Sequence, residues 1–440
     1  MGEILPYLYL LKIGGRYGFS MTEQSAVNAH QPRPNIFDRY VCSPTIFRSN
    51  REILRPSYIP SSLPHREREI DQLAAIISIG LNGDRPSNVL VFGKTGTGKT
   101  ATVRFISNEA SRMTRERKIE FLYVNCCEAD TNYGVVQYMV NSFITNPEER
   151  APYNGWSMER IYTLFKEKTE QLGRLVVVVL DELDRLVYKA GDDLLYNLSR
   201  INDDLKNSKL SIIGIANDLK FTDFLDARVR SRLGEERIVF SPYNAGELSD
   251  ILRDRAGLVF QEGVLDEDVI PLCSALAAQE HGDARRALEL LRVAGESAER
   301  ERRTKITAAD VYRAKEKIEL DTVSETLRTL PYQSKILLMS IIIHSEKRSM
   351  MTTGDVYEVY RNLCNSVGVQ PLTQRRIGDL LSELDMLGIL RARVRSFGRG
   401  GRTKEVELAV PINETRDILA GDELLKSYRT SHARVQTTLI

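Results

Sequence analysis

Residues 93–100 read Gly93-Lys94-Thr95-Gly96-Thr97-Gly98-Lys99-Thr100, a G-x-x-x-x-G-K-T loop between an apolar run, Asn88–Phe92, and a helix-compatible stretch, Ala101–Ile106. Few local patterns constrain a fold so strongly. Glycines at this spacing let successive backbone N–H groups turn inward at phosphates that no side-chain-bearing loop could approach. The cradle, extended to Ala101 at the start of the helix, needs a buried strand behind it and a helix whose N-terminal dipole favours an anion. Lys99 would reach the β- and γ-phosphates, and the Thr100 hydroxyl would hold Mg²⁺ beside them. The expected cofactors are therefore ATP or ADP with Mg²⁺.

The surrounding chain supplies the sheet that such a loop requires. Between residues 61 and 240, apolar runs alternate with helical patterns, as in a parallel sheet with crossover helices. Strands are expected at Asn88–Phe92, Phe121–Asn125, Leu175–Leu180, Ser211–Ala216 and Arg237–Phe240. The unbroken Val176–Leu180 run suits a central strand buried on both faces. After Pro242 the β-type runs stop, and Leu272, Leu276, Ala287, Leu288 and Leu291 mark an all-helical second unit. With 440 residues, about three domains of ordinary size are expected.

Two more elements belong with the loop. The third strand ends in Asp181-Glu182-Leu183-Asp184, which sets carboxylates at the sheet edge where ligands of open α/β sheets bind. Asp181 is expected to hold Mg²⁺ and Glu182 to polarise the attacking water, while Asp184 reads as a helix cap. Asn217, closing the fourth strand, could orient that water. Downstream, Arg228, Arg230 and Arg232 concentrate positive charge before the last strand, where one could meet a developing phosphoryl charge in cis or in a neighbouring subunit. Arg285, near a helix start where a cation is electrostatically unfavourable, is rationalised by a nucleotide partner.

The C-terminal third reads as three helices and a hairpin. In the third helix Thr373 is the cap, Ile377, Leu380, Leu381, Leu384 and Leu387 keep helical spacing, and Gly388 ends it. That leaves Gln374, Arg375 and Arg376 where helix-turn-helix readers meet base edges. Leu390–Ser396 and Lys404–Val410 then flank a glycine-rich turn, with Arg393, Arg395, Arg399 and Arg402 among six basic residues and no acid between Arg391 and Lys404. Net charge is only +1, so any nucleic-acid surface must be local, and this hairpin is the place for it.

What remains excludes other classes. Five scattered cysteines without a C-x-x-C pair disfavour a disulfide framework or a zinc site and suit a reducing cytosol, with Cys126 and Cys127 read as packing residues. No apolar stretch approaches the ~18 residues of a membrane span. Residues 4–11 make a poor signal peptide, and because Met21 opens an ordinary polar arm, residues 1–20 are read as an over-extended start.

Taken in order, these motifs resemble the AAA+ ATPases, and more narrowly the archaeal replication initiators akin to the origin recognition complex and cell division control protein six. Leu63–Glu67, Gly93–Thr100, Leu180–Asp184, Ile213–Asn217, Arg228–Arg232 with Ile238–Ala245, and Gly282–Leu288 carry the match. The resemblance implies that Pro64, His65, Arg66 and Tyr243 border the nucleotide, that Asn217 is sensor one and Arg285 sensor two, and that Arg228 or Arg232 is the arginine finger. It further implies that Asn146–Trp156 is an initiator-specific insertion touching DNA. The expected architecture is an N-terminal arm (1–34), an AAA+ domain (35–242), a helical lid (243–321), a winged helix (322–412) and a tail (413–440). The expected protein is a slow ATPase and nucleoid-associated cytoplasmic initiator. It binds origin duplex DNA, self-associates there and helps load the replicative helicase. A nucleotide-gated winged-helix transcription or signalling regulator is the alternative, and a clamp-loader-like motor a third.

Overall fold

A computed structural model describes residues 46–113, 119–345, 351–396 and 402–422. Up to residue 240 strands and helices alternate: α1 (Glu67–Leu81), β1 (Val89–Gly93), α2 (Lys99–Met113), β2 (Ile119–Asn125), α3 (Asn132–Ser142), α4 (Met158–Leu172), β3 (Leu175–Asp181), α5 (Leu183–Ala190), α6 (Asp193–Arg200), β4 (Lys209–Ala216), α7 (Ala227–Leu233) and β5 (Glu236–Phe240). The strands form one parallel sheet in the order β2-β3-β4-β1-β5. Alternate residues of β3 serve two cores. Val176, Val178 and Leu180 pack with residues of α3–α7, whereas Val177 and Val179 join Leu73 and Ile77 of α1 and Val103 and Ile106 of α2. Water reaches neither face, which is why this strand carries no polar alternation.

Register then builds the functional edge. Phe92 of β1 lies beside Ala216, and Leu180 of β3 beside Gly214, so Gly93, Asn217 and Asp181 emerge together at the carboxyl end of the sheet. The next residues after β5 form the helical unit: α8 (Ala245–Val259), α9 (Val269–Gln279), α10 (Ala284–Arg300) and α11 (Ala308–Thr329). A reciprocal cap starts α8, with Asn244 accepting from the Glu247 N–H and Glu247 from the Asn244 N–H. Ile46, Phe47 and Leu54 also belong to this core, and Arg48 N donates to Val259 O at 2.7 Å. This segment, assigned from sequence order to the first domain, packs on the second, because Phe47 meets Phe260 and no local pattern announces so distant a partner.

The third unit contains α12 (Tyr332–Ser345), β6 (Met351–Thr352), α13 (Thr353–Ser366), α14 (Gln374–Met386), β7 (Leu390–Ser396), β8 (Arg402–Leu408) and α15 (Ile412–Ala420), its short antiparallel sheet ordered β6-β8-β7. Thr373 caps α14 and Gly388 follows it at φ +70°, the left-handed position that glycine adopts without strain. Two features depart from the sequence boundaries. Residues 413–420, which the sequence boundaries give to a tail, belong with Ile412 to α15, whose Leu419 and Thr415 are buried; burying such a leucine contributes about 2 kcal/mol. The junction drawn at 321/322 falls inside α11, a continuous 22-residue helix that places Ile318 in the second core and Leu327 in the third.

Candidate functional site

Lys99 opens α2 and is only 6% exposed. Its ammonium donates to Gly93 O (2.8 Å), Lys94 O (2.7 Å) and Asn217 Oδ1 (2.9 Å), so all three protons have acceptors. Burial, aided by the neighbouring Arg285, pushes its pKa down to about 8 against the pull of Asp181, Asp184 and Asp283. Thr100 Oγ1 donates to Asp181 Oδ2 at 2.9 Å. Burial raises the Asp181 carboxyl pKa. A hydroxyl and a carboxylate in contact form the hard-oxygen set that suits Mg²⁺.

Glu182 sits at φ +57°, in the left-handed region between β3 and α5, where a non-glycine residue is strained. Its Oε2 accepts from the Cys127 thiol at 2.5 Å and pairs with Arg185 Nε at 3.1 Å. Burial and the glutamate push the Cys127 thiol up to about 11, which keeps it protonated and a donor. Cys126 is a buried core residue, as expected, but Cys127 is a polar neighbour of the candidate base. Asp184 also differs from its reading as a cap. It is buried in the first turn of α5, and its Oδ2 accepts from the Asn217 backbone N–H at 3.2 Å, tying down the residue whose side-chain Oδ1 meets Lys99.

Above the loop lies a cavity lined by Tyr58, Pro64, Gly96–Ala101, Arg104, Tyr243, Arg255 and Arg285 among others. The helical unit closes on the loop directly: Ala284 N donates to Gly96 O at 3.1 Å, and a Cβ added at Gly96 would lie 1.6 Å from Asp283 Oδ1. Arg66 is 4% exposed and lies outside this lining. Its guanidinium donates to Thr97 O (2.9 Å), His65 O (3.0 Å) and Ser241 O (2.6 Å) and stacks 3.8 Å from the Tyr243 ring. It therefore shapes the loop and the hinge between the first two units. His65 points to Asp250 on α8, at 3.0 Å. Gly93, Lys94 and Thr95 are not among the lining residues, Gly93 ending β1 and Lys94 and Thr95 being exposed. Backbone donors at the glycines, a cation and a hard-oxygen pair together fit a nucleoside polyphosphate with Mg²⁺.

Arg228 and Arg232 lie elsewhere. Both are exposed on α7, Arg228 held by Asp226 (Nε–Oδ1 3.0 Å) and Arg232 near Asp203 at 3.8 Å, and neither lines the cavity of its own chain. In the third unit Gln374, Arg375 and Arg376 are exposed at the start of α14, with Arg376 near Asp379. Arg393 is exposed on β7, but β8 sets Glu405 opposite it and Glu407 opposite Arg391, and Arg395 pairs with Glu405 at 2.5 Å. The acid-free count along the chain thus misses cross-strand acids. Lys404 turns away from this face, donating to Gly378 O and Ser382 Oγ of α14. Arg399 lies outside the described residues, and of Arg402 only the backbone, opening β8, is described. Residues 146–156 join α3 to α4 through a short 3₁₀ turn, with Tyr153 exposed and Trp156 packed on the sheet core.

Three family models match in chain order: ATPase family associated with various cellular activities (AAA) over residues 89–241, Cdc6 AAA+ ATPase-type lid domain over 249–316, and CDC6 C-terminal winged helix domain over 325–418. An ORC1-type DNA replication protein of Thermococcus kodakarensis is 51% identical over 399 residues, covering 90% of this chain and 96% of that one. This chain belongs to the ORC1-type DNA replication proteins. A second relative, ORC1-type DNA replication protein 1 of Methanosarcina mazei, is 50% identical over 401 residues, covering 90% and 95%. The solved structure of the Aeropyrum pernix ORC1 protein in complex with DNA superposes with a TM-score of 0.76 at 43% identity, covering 87% of this chain and 98% of that one. This ORC1-type chain is accordingly an AAA+ ATPase with a helical lid and a winged helix. No described helix is long and apolar enough to cross a membrane.

Several site residues escaped the sequence. Arg104 lines the cavity one helical turn beyond Thr100, a spacing that could have found it. Tyr58, Arg255 and the contact of Asp283 with Gly96 had no local signal, because each arises only when the lid folds over the loop.

Proposed function

We propose that this ORC1-type protein is an ATP-switched replication initiator. It grips origin duplex DNA through its winged helix, hydrolyses ATP slowly and helps load the replicative helicase. One observation carries the reading. The phosphate loop touches the lid through Gly96, Asp283 and Ala284, and the lid continues into the winged helix along the unbroken α11. A ligand that stabilises the loop–lid contact therefore biases the placing of a DNA-binding unit without any long-range wire.

The residue roles follow from the geometry above. Thr100 and Asp181 would hold Mg²⁺, which when bound neutralises phosphate charge. Lys99 and Arg285 offer cations to the polyphosphate. Asn217, fixed by Asp184, orients a water, and Glu182 takes its proton once released from the Cys127 thiol and Arg185. Arg228 or Arg232, exposed and outside the lining of their own cavity, suit the nucleotide of a second copy, which makes self-association on DNA part of the proposal. Arg375, Arg376 and Arg393 contact phosphates or base edges; that the Aeropyrum ORC1 protein, at 43% identity, was solved in complex with DNA supports DNA binding by this chain. Footprinting across genomic DNA tests the reading. Protection at a replication origin supports it, protection confined to promoters favours the transcription regulator, and no protection rejects both.

A further inference from the structure

Arg255 on α8 is an unusual arginine. Its side chain is only 9% exposed, lines the nucleotide cavity, and makes no hydrogen bond or ion pair among the described residues. Nη1 is buried without an acceptor. The guanidinium rests over the Tyr58 ring, 4.7 Å from its centroid, and the neighbouring Asp254 is exposed and forms no ion pair with it. Leaving such a donor set unmatched inside a protein is costly, since a guanidinium carries five N–H groups and no acceptor of its own. Burial accordingly lowers its pKa. The strongly buried cations nearby are satisfied: Lys99, in the lining, has three acceptors, and Arg66, outside it, three carbonyls.

The surroundings say what part of a ligand lies here. Phosphates belong at the glycine loop and Lys99. Tyr58 lies against Arg255, Ile251 and Leu258 share its side of α8 at helical spacing, and Ile59 and Leu288 add apolar lining to the same cavity beside the polar Ser57, Ser61, Ser62 and Asp254, so the cavity has room for a flat, largely apolar group with a polar edge. In a nucleotide that group is the base, and a purine adds ring nitrogens that accept hydrogen bonds from a donor such as a guanidinium.

We propose that Arg255 is a specificity-determining residue for the base, donating to a purine ring nitrogen while the base packs in the slot between Tyr58 and α8. This rests on the nucleotide-binding reading above and extends it to the substrate's far end. Tyr58 holds the guanidinium plane, and the segment that carries Tyr58 packs on the lid, so base recognition forms only when that segment and α8 are together.

The test uses the full chain freed of nucleotide, with equilibrium binding of ATP, of its 1-deaza, 3-deaza and 7-deaza analogues, each lacking one ring nitrogen, and of 2′-deoxy-ATP. One deaza analogue is expected to bind the natural protein roughly ten- to hundredfold more weakly than ATP, the size of a lost charged hydrogen bond. In Arg255→Met, ATP is expected to weaken to the level of that analogue, and the discrimination between them to vanish. Equal binding of all three deaza analogues to the natural protein overturns the assignment, and so does discrimination that survives in Arg255→Met. Loss with 2′-deoxy-ATP alone overturns it in favour of a sugar contact. A uniform weakening of every nucleotide in the variant marks Arg255 as merely structural. The analogue series on the natural protein decides the matter even where Arg255→Met fails to fold. Failure of ATP itself to bind the natural protein is a different outcome, which rejects the nucleotide reading and not only this residue.

Discussion

Gly96→Ala isolates the contact on which the switch depends. Gly96 has φ +70°, where an L-residue costs about 1–2 kcal/mol. The new methyl would lie 1.6 Å from Asp283 Oδ1, so either the Asp283 side chain must leave its cap of the Arg285 N–H or the first turn of α10 must withdraw. Either route costs one hydrogen bond, the Arg285 cap or the Ala284 N to Gly96 O bond, worth about 1 kcal/mol net. Together the closed loop–lid arrangement loses about 2–3 kcal/mol, which converts to roughly 30- to 150-fold in ATP affinity. Isothermal titration with ATP reads that loss, and amide hydrogen exchange at Ala284 reads the opening directly. Adding Asp283→Ala to Gly96→Ala should cost less than Asp283→Ala alone in the natural background, because the contact is already gone. ATP binding within about threefold of the natural protein, with unchanged protection at Ala284, would refute the reasoning.

Three further outcomes are expected. Arg375→Ala and Arg393→Ala should weaken DNA binding on all sequences and lower the log–log salt slope by ~0.9 each, whereas Lys404→Ala, whose ammonium is spent on α14, should loosen the hairpin in thermal melts and leave the slope alone. Because the Lys99 pKa is held at about 8, below its ordinary 10.5, the free protein sheds this proton as pH rises through 8 while a bound polyphosphate favours the charged form. ATP affinity should therefore be flat near neutrality and fall above pH 8, with proton uptake on binding that two buffers of different ionisation enthalpy will reveal in calorimetry; no fall by pH 9.5 would remove Lys99 from the phosphate site. Glu182→Gln should bind ATP normally yet hydrolyse it at least about a hundredfold more slowly, and unchanged single-turnover hydrolysis would show that another group takes the proton.

The parts legible in the sequence were those set by short-range rules. A glycine loop between a buried strand and a helix, the Asp181-Glu182 edge, and the three- and four-residue spacing of α14 each follow from neighbours in the chain, and the structure has them where the spacing puts them. What sequence could not supply is contact at a distance. Ile46, Phe47 and Leu54 join the lid because Phe260 offers a ring some two hundred residues away. Residues 412–420 carry only a sparse apolar stripe, which becomes a helix by packing beside α11 and α12. Glu405 and Glu407 neutralise part of the arginine face through strand pairing rather than adjacency. Gly96 is intelligible from phosphate binding alone, yet the lid makes a second demand on it through Asp283. Sequence order puts Arg66 beside the nucleotide, whereas its guanidinium is committed to the carbonyls of Thr97 in the loop, of His65 and of Ser241.

The coupling between nucleotide and DNA is tested most directly by the affinity of the full chain for origin duplex in ATP, in ADP and without nucleotide, measured in parallel on Lys99→Ala. A loop–lid contact that feeds through α11 into the winged helix predicts that ATP shifts the natural protein's DNA affinity by at least about fivefold and leaves Lys99→Ala unmoved. One affinity in all three states, or an ATP effect that persists without the Lys99 ammonium, would contradict it.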